Sequence, residues 1–267
     1  MLVVAAWRDA QTQFHKYERV VLVEHGAGQH YRRPKANHPN RSRSDAAKLH
    51  AVIGPNERVA STPGLAVGCP KLDRWHTGRG PTPPAARPVV AVSTHWDSRV
   101  DPIWSGTIWR EWVEGAVASL ARDGYDVLGH WHPRLDPAGL RRVYDRYGVE
   151  PVADFADVLD RAHLYICDNS STIFEFASCD RPVILVHTAS QAAHPDPPGG
   201  RYWHWSQVGT DVPTSEADRM GCHASAAWER RDDPGLVRIR TGIVDGIYRH
   251  RDGHAALRAA RALEHML

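Results

Sequence analysis

The chain has 267 residues, of which 42% are hydrophobic and 24% charged, a balance typical of a globular protein with one large or two modest domains. A formal net charge of +2 excludes a protein that binds nucleic acid through a strongly basic overall field. No apolar run reaches the roughly 18 to 20 residues of a membrane-spanning helix, and the first residues do not resemble a signal peptide. The expected compartment is therefore the cytoplasm.

The N-terminal part predicts two buried strands followed by a basic segment. Apolar runs at 2–7 and 19–26 are continuous rather than alternating, which is typical of strands covered on both faces. Between 30 and 48 the basic residues outnumber a single acid, and we expect a loop there. A Pro- and Gly-rich segment at 76–88 predicts a linker, so that the domains are expected at 1–85 and 86–267.

Beyond the linker, strand patterns alternate with helix patterns. The predicted strands lie at 89–96, 125–133, 163–167 and 181–187. Five helices are predicted. Two end at Gly124 and Gly148, one covers 154–162, one begins after Ser171, and the last covers 253–267. This alternation predicts right-handed βαβ units with a parallel sheet, which is an α/β fold. Residues 206–235 give no clear pattern.

Several polar clusters follow directly after the predicted strands. They are His25 with Gly26, Thr94 to Asp97, His130 to Pro133, and Asp168 to Thr172. In a parallel α/β sheet, ligands bind at the carboxyl ends of the strands. Because four clusters share this position, we interpret them together as one candidate site.

The sequence "DNSST" at 168–172 lies between a strand and a helix. Free amides at a helix start attract anions, and small hydroxyl side chains add donors, so a phosphate or diphosphate fits this turn. The alternative is a simple helix cap, with Ser171 or Asp168 as the capping residue and Glu175 loosely completing a capping box. Both interpretations stay open, and they are compatible.

Two histidines are candidates for chemistry. His132 ends a strand, where it can donate to a phosphate oxygen and, when protonated, offset charge on a leaving group. His25 precedes a glycine-containing turn and can act as a general base. Each is alternatively a structural histidine at a strand end or in a loop. No zinc or diphosphate-metal motif is present, so we expect neither a metal nor a cofactor.

Four short motifs in order resemble a known family. The segments are "VEHGAGQ" (23–29), "VGCPKLD" (67–73), "HWHP" (130–133) and "CDNSSTIFEFASCDRPVIL" (167–185). Together they resemble the CDP-glycerol glycerophosphotransferases of teichoic acid synthesis and, more broadly, the GT-B transferases. The resemblance implies a GT-B-like fold, with a Rossmann-like parallel sheet in the C-terminal domain that binds the donor nucleotide. It also implies a shortened N-terminal α/β half, because only 24 residues precede His25.

The resemblance also implies roles for individual residues. It makes His25 the base, His132 a contact of the donor phosphates, and Ser170, Ser171 and Thr172 the diphosphate site. Thr94 and Asp168 join the phosphate site from their strand-end positions, with Gly26, Glu175 and Asp73 as further site residues. In the "VGCPKLD" segment, Gly68, Pro70 and Asp73 are expected to shape the interdomain segment. Asn169, Glu175 and His130 depart from the family pattern, which leaves the exact donor open.

The predicted function is a transferase that moves a glycerophosphate or glycosyl group from a nucleotide-diphosphate-linked donor to an acceptor hydroxyl. Arg32, Arg33 and Lys35 are expected to bind the acceptor, which fits a polyanion such as a teichoic-type polymer or nucleic acid. Peripheral membrane contact is compatible with this function, and the sequence leaves the oligomeric state open. The alternatives are an isomerase similar to nucleotide-sugar 2-epimerases, and a non-catalytic relative that binds a nucleotide or polyanion.

Overall fold

The computed structural model describes residues 1–4, 12–13, 15–23, 49–55, 64–78, 80–82, 87–95, 108–168, 170–193 and 207–267. The chain divides into two compact units, of which the first comprises Met1–Gly78 with Val244–Leu267 and the second Arg79–Ile243. The boundary between the units at Gly78 and Arg79 falls within the predicted linker at 76–88. The segment 244–267 packs with the N-terminal unit, whereas the sequence assigns it to the second domain.

The first unit contains a four-stranded parallel sheet in the order β1-β2-β3-β4. The strands are Leu2–Val4, Val20–Val23, Ala51–Gly54 and Gly64–Ala66. A 3-10 turn at Pro70–Leu72 and the short helix α1 (Asp73–His76) follow. Val21 and Ile53 are fully buried in the core of this unit. Valine and isoleucine are favoured in strands whose side chains are buried.

The C-terminal helix α9 (Ala255–Glu264) completes this unit and is amphipathic, as the sequence predicts. Its apolar side packs on the first sheet through Ala259, Ala262 and Leu263. Asp73 binds its first turn, since Oδ1 accepts from the Ala255 amide at 2.9 Å and Oδ2 from the Ala256 amide at 2.7 Å. Asp73 therefore caps a helix that lies 182 residues further along the chain.

Gly68 allows the C-terminal segment to approach closely. Its φ of +92° lies in the region that favours glycine, and a Cβ there would lie 2.7 Å from the carbonyl oxygen of His250. In this chain, two residues of the "VGCPKLD" motif thus hold the C-terminal segment onto the first unit.

The second unit contains a six-stranded parallel sheet in the order β10-β9-β8-β5-β6-β7. The strands are Val90–Thr94 (β5), Val127–Trp131 (β6), Glu150–Pro151 (β7), Leu164–Cys167 (β8), Val183–His187 (β9) and Thr210–Pro213 (β10). The chain builds outward from β5 in one direction and from β8 in the other. The strand order therefore reverses between β5 and β8, as in doubly wound α/β folds. The parallel sheet itself is the one that the sequence predicts.

Helices cover both faces of this sheet. They are α2 (Trp109–Arg122), α3 (Ala138–Tyr147), α4 (Phe155–Arg161), α5 (Thr172–Ala177), α6 (Ala189–Ala192), α7 (Met220–Glu229) and α8 (Pro234–Ile247). A 3-10 helix at Thr214–Arg219 precedes α7, and the division at Ile243 falls within α8. The sequence pattern gives no assignment for β10, the 3-10 helix and α7. None of the helices in the described ranges is long and apolar enough to cross a membrane.

Alternate residues of the second sheet face an apolar core on one side. Val90 and Val92 of β5 pack there with the buried sides of α2, α3 and α7. Gly129 leaves room for Tyr144, since a Cβ at this position would lie 2.3 Å from the Tyr144 ring. The other face carries Ser93, His130 and Tyr165 and is more polar, which bears on the site.

We expect Asp73→Ala to loosen α9, because two amides lose their acceptor and a negative charge leaves the helix start. A lost cap costs about 0.5–2 kcal/mol of unfolding free energy. Asp73→Asn keeps one acceptor oxygen and should lie between wild type and Ala. Urea unfolding and amide hydrogen exchange over α9 measure the effect, with the exposed Glu264→Ala as control. Equal exchange of α9 in Asp73→Ala and wild type would contradict this role.

Candidate functional site

The carboxyl ends of β5 and β8 meet where the strand order reverses. Ser93 pairs with Cys167 at the end of this ladder. The backbone of His95 then donates to Oδ1 of Asp168 at 2.7 Å, and Asp168 is only 1% exposed. This bond ties the first residue after β5 to the first residue after β8. The crevice outside such a reversal is the usual ligand position in doubly wound sheets.

Thr94 has a buried hydroxyl at this edge. Its side chain is 1% exposed, and Oγ1 has no hydrogen-bond partner among the residues that the structure describes. Burying a hydroxyl without a partner costs roughly 1–3 kcal/mol, so natural cores rarely keep one. An unsatisfied donor next to the crevice is a feature expected of a ligand contact.

The turn at 168–172 is held by its own hydroxyl groups. Ser170 Oγ accepts from Thr172 Oγ1 at 2.7 Å, and Thr172 Oγ1 lies 2.6 Å from the Tyr165 hydroxyl. Ser171 is the N-cap residue directly before α5, yet its side chain makes no capping bond in the described part of the chain. Of the two expected caps, Asp168 binds the His95 amide instead.

A buried chain of polar side chains extends this turn to β6. Tyr165 hydrogen-bonds Thr172 and shares a sheet face with Ser93 of the neighbouring strand, and Ser93 Oγ lies 2.7 Å from His130 Nδ1. Ser93 and His130 are direct neighbours in the ladder of β5 and β6, and His130 is 5% exposed. The chain therefore links three strands below the crevice and orders the polar face of the sheet.

His132 and His130 are both neutral at physiological pH. Burial and, to a lesser extent, the nearby Arg134 guanidinium lower the pKa of His132 to about 4. Burial, followed by the nearby His132, lowers the pKa of His130 to about 4, against an opposing effect of Asp154. Nδ1 of His132 accepts from the Arg134 amide at 3.1 Å, so the neutral ring carries its proton on Nε2. His132 is thus a neutral donor, with the His95 ring centroid 5.5 Å away.

The structure places the remaining predicted residues in three different ways. Glu175 lies within α5 and is 2% exposed. Asp73 lies in the first unit as the cap of α9. His25, Gly26, Arg32, Arg33, Lys35 and Asn169 lie outside the described residues. Among the described residues, no group of three His, Cys, Asp or Glu side chains is arranged to hold a metal ion.

Comparison of the sequence with family models and with curated proteins finds no match. Solved structures, however, are similar in fold. The wall teichoic acid polymerase TagF matches with a TM-score of 0.57 at 12% identity, over 93% of this chain and 68% of that chain. A UDP-N-acetylglucosamine 2-epimerase matches with a TM-score of 0.51 at 14% identity, over 98% of this chain and 70% of that chain. S. aureus MnaA in complex with UDP matches with a TM-score of 0.55 at 14% identity, over 99% and 73%.

The chain has a GT-B-like fold. This confirms the fold class predicted from the sequence motifs, because both sheets are parallel and helices cover them. The GT-B-like architecture is shared by neighbours that carry out different reactions, so it describes the scaffold and leaves the reaction to the residues of the site.

Sequence reasoning missed four polar residues of this GT-B-like edge: Ser93, Tyr165, His187 and Asp211. Ser93 and Tyr165 lie inside apolar runs, where their hydroxyls have no sequence signal of their own. His187 ends a predicted strand, which is the same signal that identified His132 and Asp168. Applying that rule to every strand end of the GT-B-like sheet would have found it.

The lowered pKa values predict a measurable titration. We expect the His132 ring to titrate with a midpoint near pH 4, well below its ordinary value of 6.5. Histidine side-chain NMR between pH 3 and 8 measures this, with His132→Gln to assign the signal. Since the unfolded chain binds more protons between the two values, the unfolding free energy should rise with pH from about 4 to 6.5. A His132 midpoint at or above 6.5 would contradict the neutral assignment.

Proposed function

We propose that the protein is a GT-B type transferase that moves a glycerophosphate or glycosyl group from a nucleotide-diphosphate-linked donor to an acceptor hydroxyl. One observation carries the proposal. The neighbouring strands β6, β5 and β8 end together in uncharged hydrogen-bond donors, which are His132, Thr94 and the hydroxyls at 170–172. A row of donors at the reversal of strand order suits the oxygens of a phosphate chain.

The donor side of this proposal rests on groups with a proton to give. Thr94 Oγ1 has no partner among the described residues, and the neutral His132 ring donates from Nε2. Asp168 does not contact the phosphate in this proposal, because a negative group is a poor direct partner for phosphate. It instead holds the His95 amide and so fixes the backbone beside the site. The Ser170–Thr172 hydroxyls complete the proposed donor site, and Glu175, buried within α5, is proposed as a further site residue without a direct phosphate contact.

His132 then acts as a hydrogen-bond donor rather than as a cation. A ring whose pKa is about 4 is uncharged near neutral pH, so it stabilises a leaving phosphate by donating from Nε2. This differs from the expectation that a protonated ring would offset the developing charge. Positive charge at the site must come from another group.

The acceptor side of the proposal rests on the sequence resemblance. His25 takes the proton of the acceptor hydroxyl, and that oxygen attacks either the donor phosphorus or the sugar carbon. Attack at phosphorus breaks the bond to a nucleoside monophosphate, and attack at carbon releases a nucleoside diphosphate. Arg32, Arg33 and Lys35 would hold a polyanionic acceptor such as a teichoic-type polymer. The nucleotide released therefore identifies the reaction.

A nucleotide-sugar 2-epimerase is the second candidate, because one structural neighbour is such an enzyme and matches 98% of this chain. Epimerisation requires a carboxylate to remove a carbon-bound proton. At the described edge, Asp168 is engaged with the His95 amide, which makes it a poor base. Incubation with a UDP-sugar and no acceptor separates the two reactions, since only an epimerase converts that sugar.

Thr94→Val tests the donor site with a nearly isosteric change. We expect the unfolding free energy to stay equal or rise by about 1 kcal/mol, because a buried hydroxyl without a partner is removed. Affinity for CDP, UDP or GDP should fall roughly tenfold or more, as a charged phosphate loses a donor. Calorimetric titration and thermal unfolding measure both, with Thr241→Val as the matched control. Unchanged affinity for a nucleotide that wild type binds would exclude Thr94 from the site.

His132→Ala tests the chemistry. We expect loss of transfer with an unchanged circular dichroism spectrum, because the principal donor to the leaving phosphate is gone. His132→Gln keeps a side-chain N–H and should retain part of the activity. Released CMP or nucleoside diphosphate is quantified by chromatography over a panel of CDP-alditols and nucleotide sugars. Near-normal turnover in His132→Ala would refute its role, and binding without any turnover in wild type would favour a non-catalytic relative.

A further inference from the structure

His187 lies at the end of β9, one strand away from the turn at 168–172. Cys167 pairs with Leu185 in the ladder, so His187 stands two residues beyond the last pair, at the level where the turn leaves β8. Tyr165 pairs with Val183, and alternate residues of a strand project to the same face. His187 therefore shares a sheet face with Tyr165, whose hydroxyl contacts Thr172 at 2.6 Å.

Both nitrogens of the His187 ring face acceptors. Nδ1 lies 3.1 Å from the carbonyl oxygen of Thr188, and Nε2 lies 3.3 Å from Oδ2 of Asp211. A carbonyl and a carboxylate can only accept, so both contacts are hydrogen bonds when both nitrogens carry protons. The geometry therefore fits the imidazolium form, which is positively charged.

Thr188 is fixed in place by a capping box at the start of α6. Its hydroxyl accepts from the Gln191 amide at 3.2 Å, and its own amide donates to Gln191 Oε1 at 2.9 Å. The carbonyl that binds His187 is consequently held by a rigid turn. Asp211 lies on β10, whose residue Pro213 pairs with His187 in the parallel ladder. The imidazolium is thus held by two elements, the start of α6 through Thr188 and β10 through Asp211.

The charge of this pair is unevenly screened. The His187 side chain is 10% exposed, whereas that of Asp211 is 33% exposed. Solvent therefore weakens the field of the carboxylate more than that of the buried ring. Burial disfavours the charged ring, but its hydrogen bonds to Asp211 and Thr188 outweigh this and raise the pKa of His187. By contrast, His130 and His132 are neutral.

We propose that His187, held by Asp211 and Thr188, is the positively charged positioning residue of the donor-phosphate site and favours nucleoside diphosphates over less charged nucleotides. This inference rests on the proposed function. His187 acts through its field, since the contacts on both of its nitrogens are to protein acceptors. Its effect therefore grows with the charge of the ligand.

The test compares a charge series of ligands on neutral variants of His187. His187→Gln keeps an N–H toward Asp211, and His187→Asn keeps one toward the Thr188 carbonyl, so each retains one contact without the charge. Affinities for cytidine, CMP and CDP, and for the uridine series, are measured by calorimetry. We expect no change for the nucleoside and a loss of roughly threefold to tenfold for the diphosphate. His187→Arg restores a charge and should recover part of that loss.

The outcomes separate this inference from the proposed function. If wild type binds no ligand of either series, the proposed function fails. If wild type prefers the diphosphate but the neutral variants keep the same preference, only the role of His187 is overturned. An equal loss for nucleoside and diphosphate would indicate a merely structural residue and would also overturn it. Thermal unfolding of each variant shows that the comparison is made on folded protein.

Discussion

The site depends on the reversal of strand order between β5 and β8. Neighbouring parallel strands that are wound in opposite directions leave no helix crossing between their carboxyl ends, so a crevice opens there. At these ends, the His95 amide donates to Asp168 Oδ1 at 2.7 Å, which joins the residue after β5 to the residue after β8. Because the Asp168 carboxylate accepts from the His95 amide, it does not serve as the N-cap of α5. The same bond holds the carboxyl ends of β5 and β8 side by side.

The two faces of the second sheet differ in polarity: one packs against helices as the apolar core, and the other carries polar side chains. On one face, Val92 and its neighbours bury against α2, α3 and α7, which makes the sheet rigid. On the other face, Ser93, His130 and Tyr165 form a buried polar layer, in which Ser93 hydrogen-bonds His130. Since strand residues alternate between faces, a rigid apolar backing lies one residue away from each polar group. Pre-organised donors of this kind bind anions without further reorganisation.

Part of this arrangement could be predicted from the sequence. Continuous apolar runs identified the buried strands, and the polar residues directly after these runs predict a site at His132 and the turn at 168–172. The protonation of the histidines could not be predicted, because it depends on the surroundings of each ring: burial and the Arg134 guanidinium keep His132 neutral, whereas a carbonyl and a carboxylate face the two nitrogens of His187. Likewise, the sequence shows α9 as an amphipathic helix but not the sheet that it covers.

The folding order of the first unit follows from its discontinuity. Residues 79–243 form a continuous unit that is complete before Val244–Leu267 is synthesised. The first sheet, although synthesised earlier, receives α9 against its core only at the end. During translation, the core around Val21 and Ile53 lacks the side chains of α9 until residues 255–264 have been synthesised. The first unit can therefore be completed only after the whole of the second unit has been synthesised, although its sheet is made first.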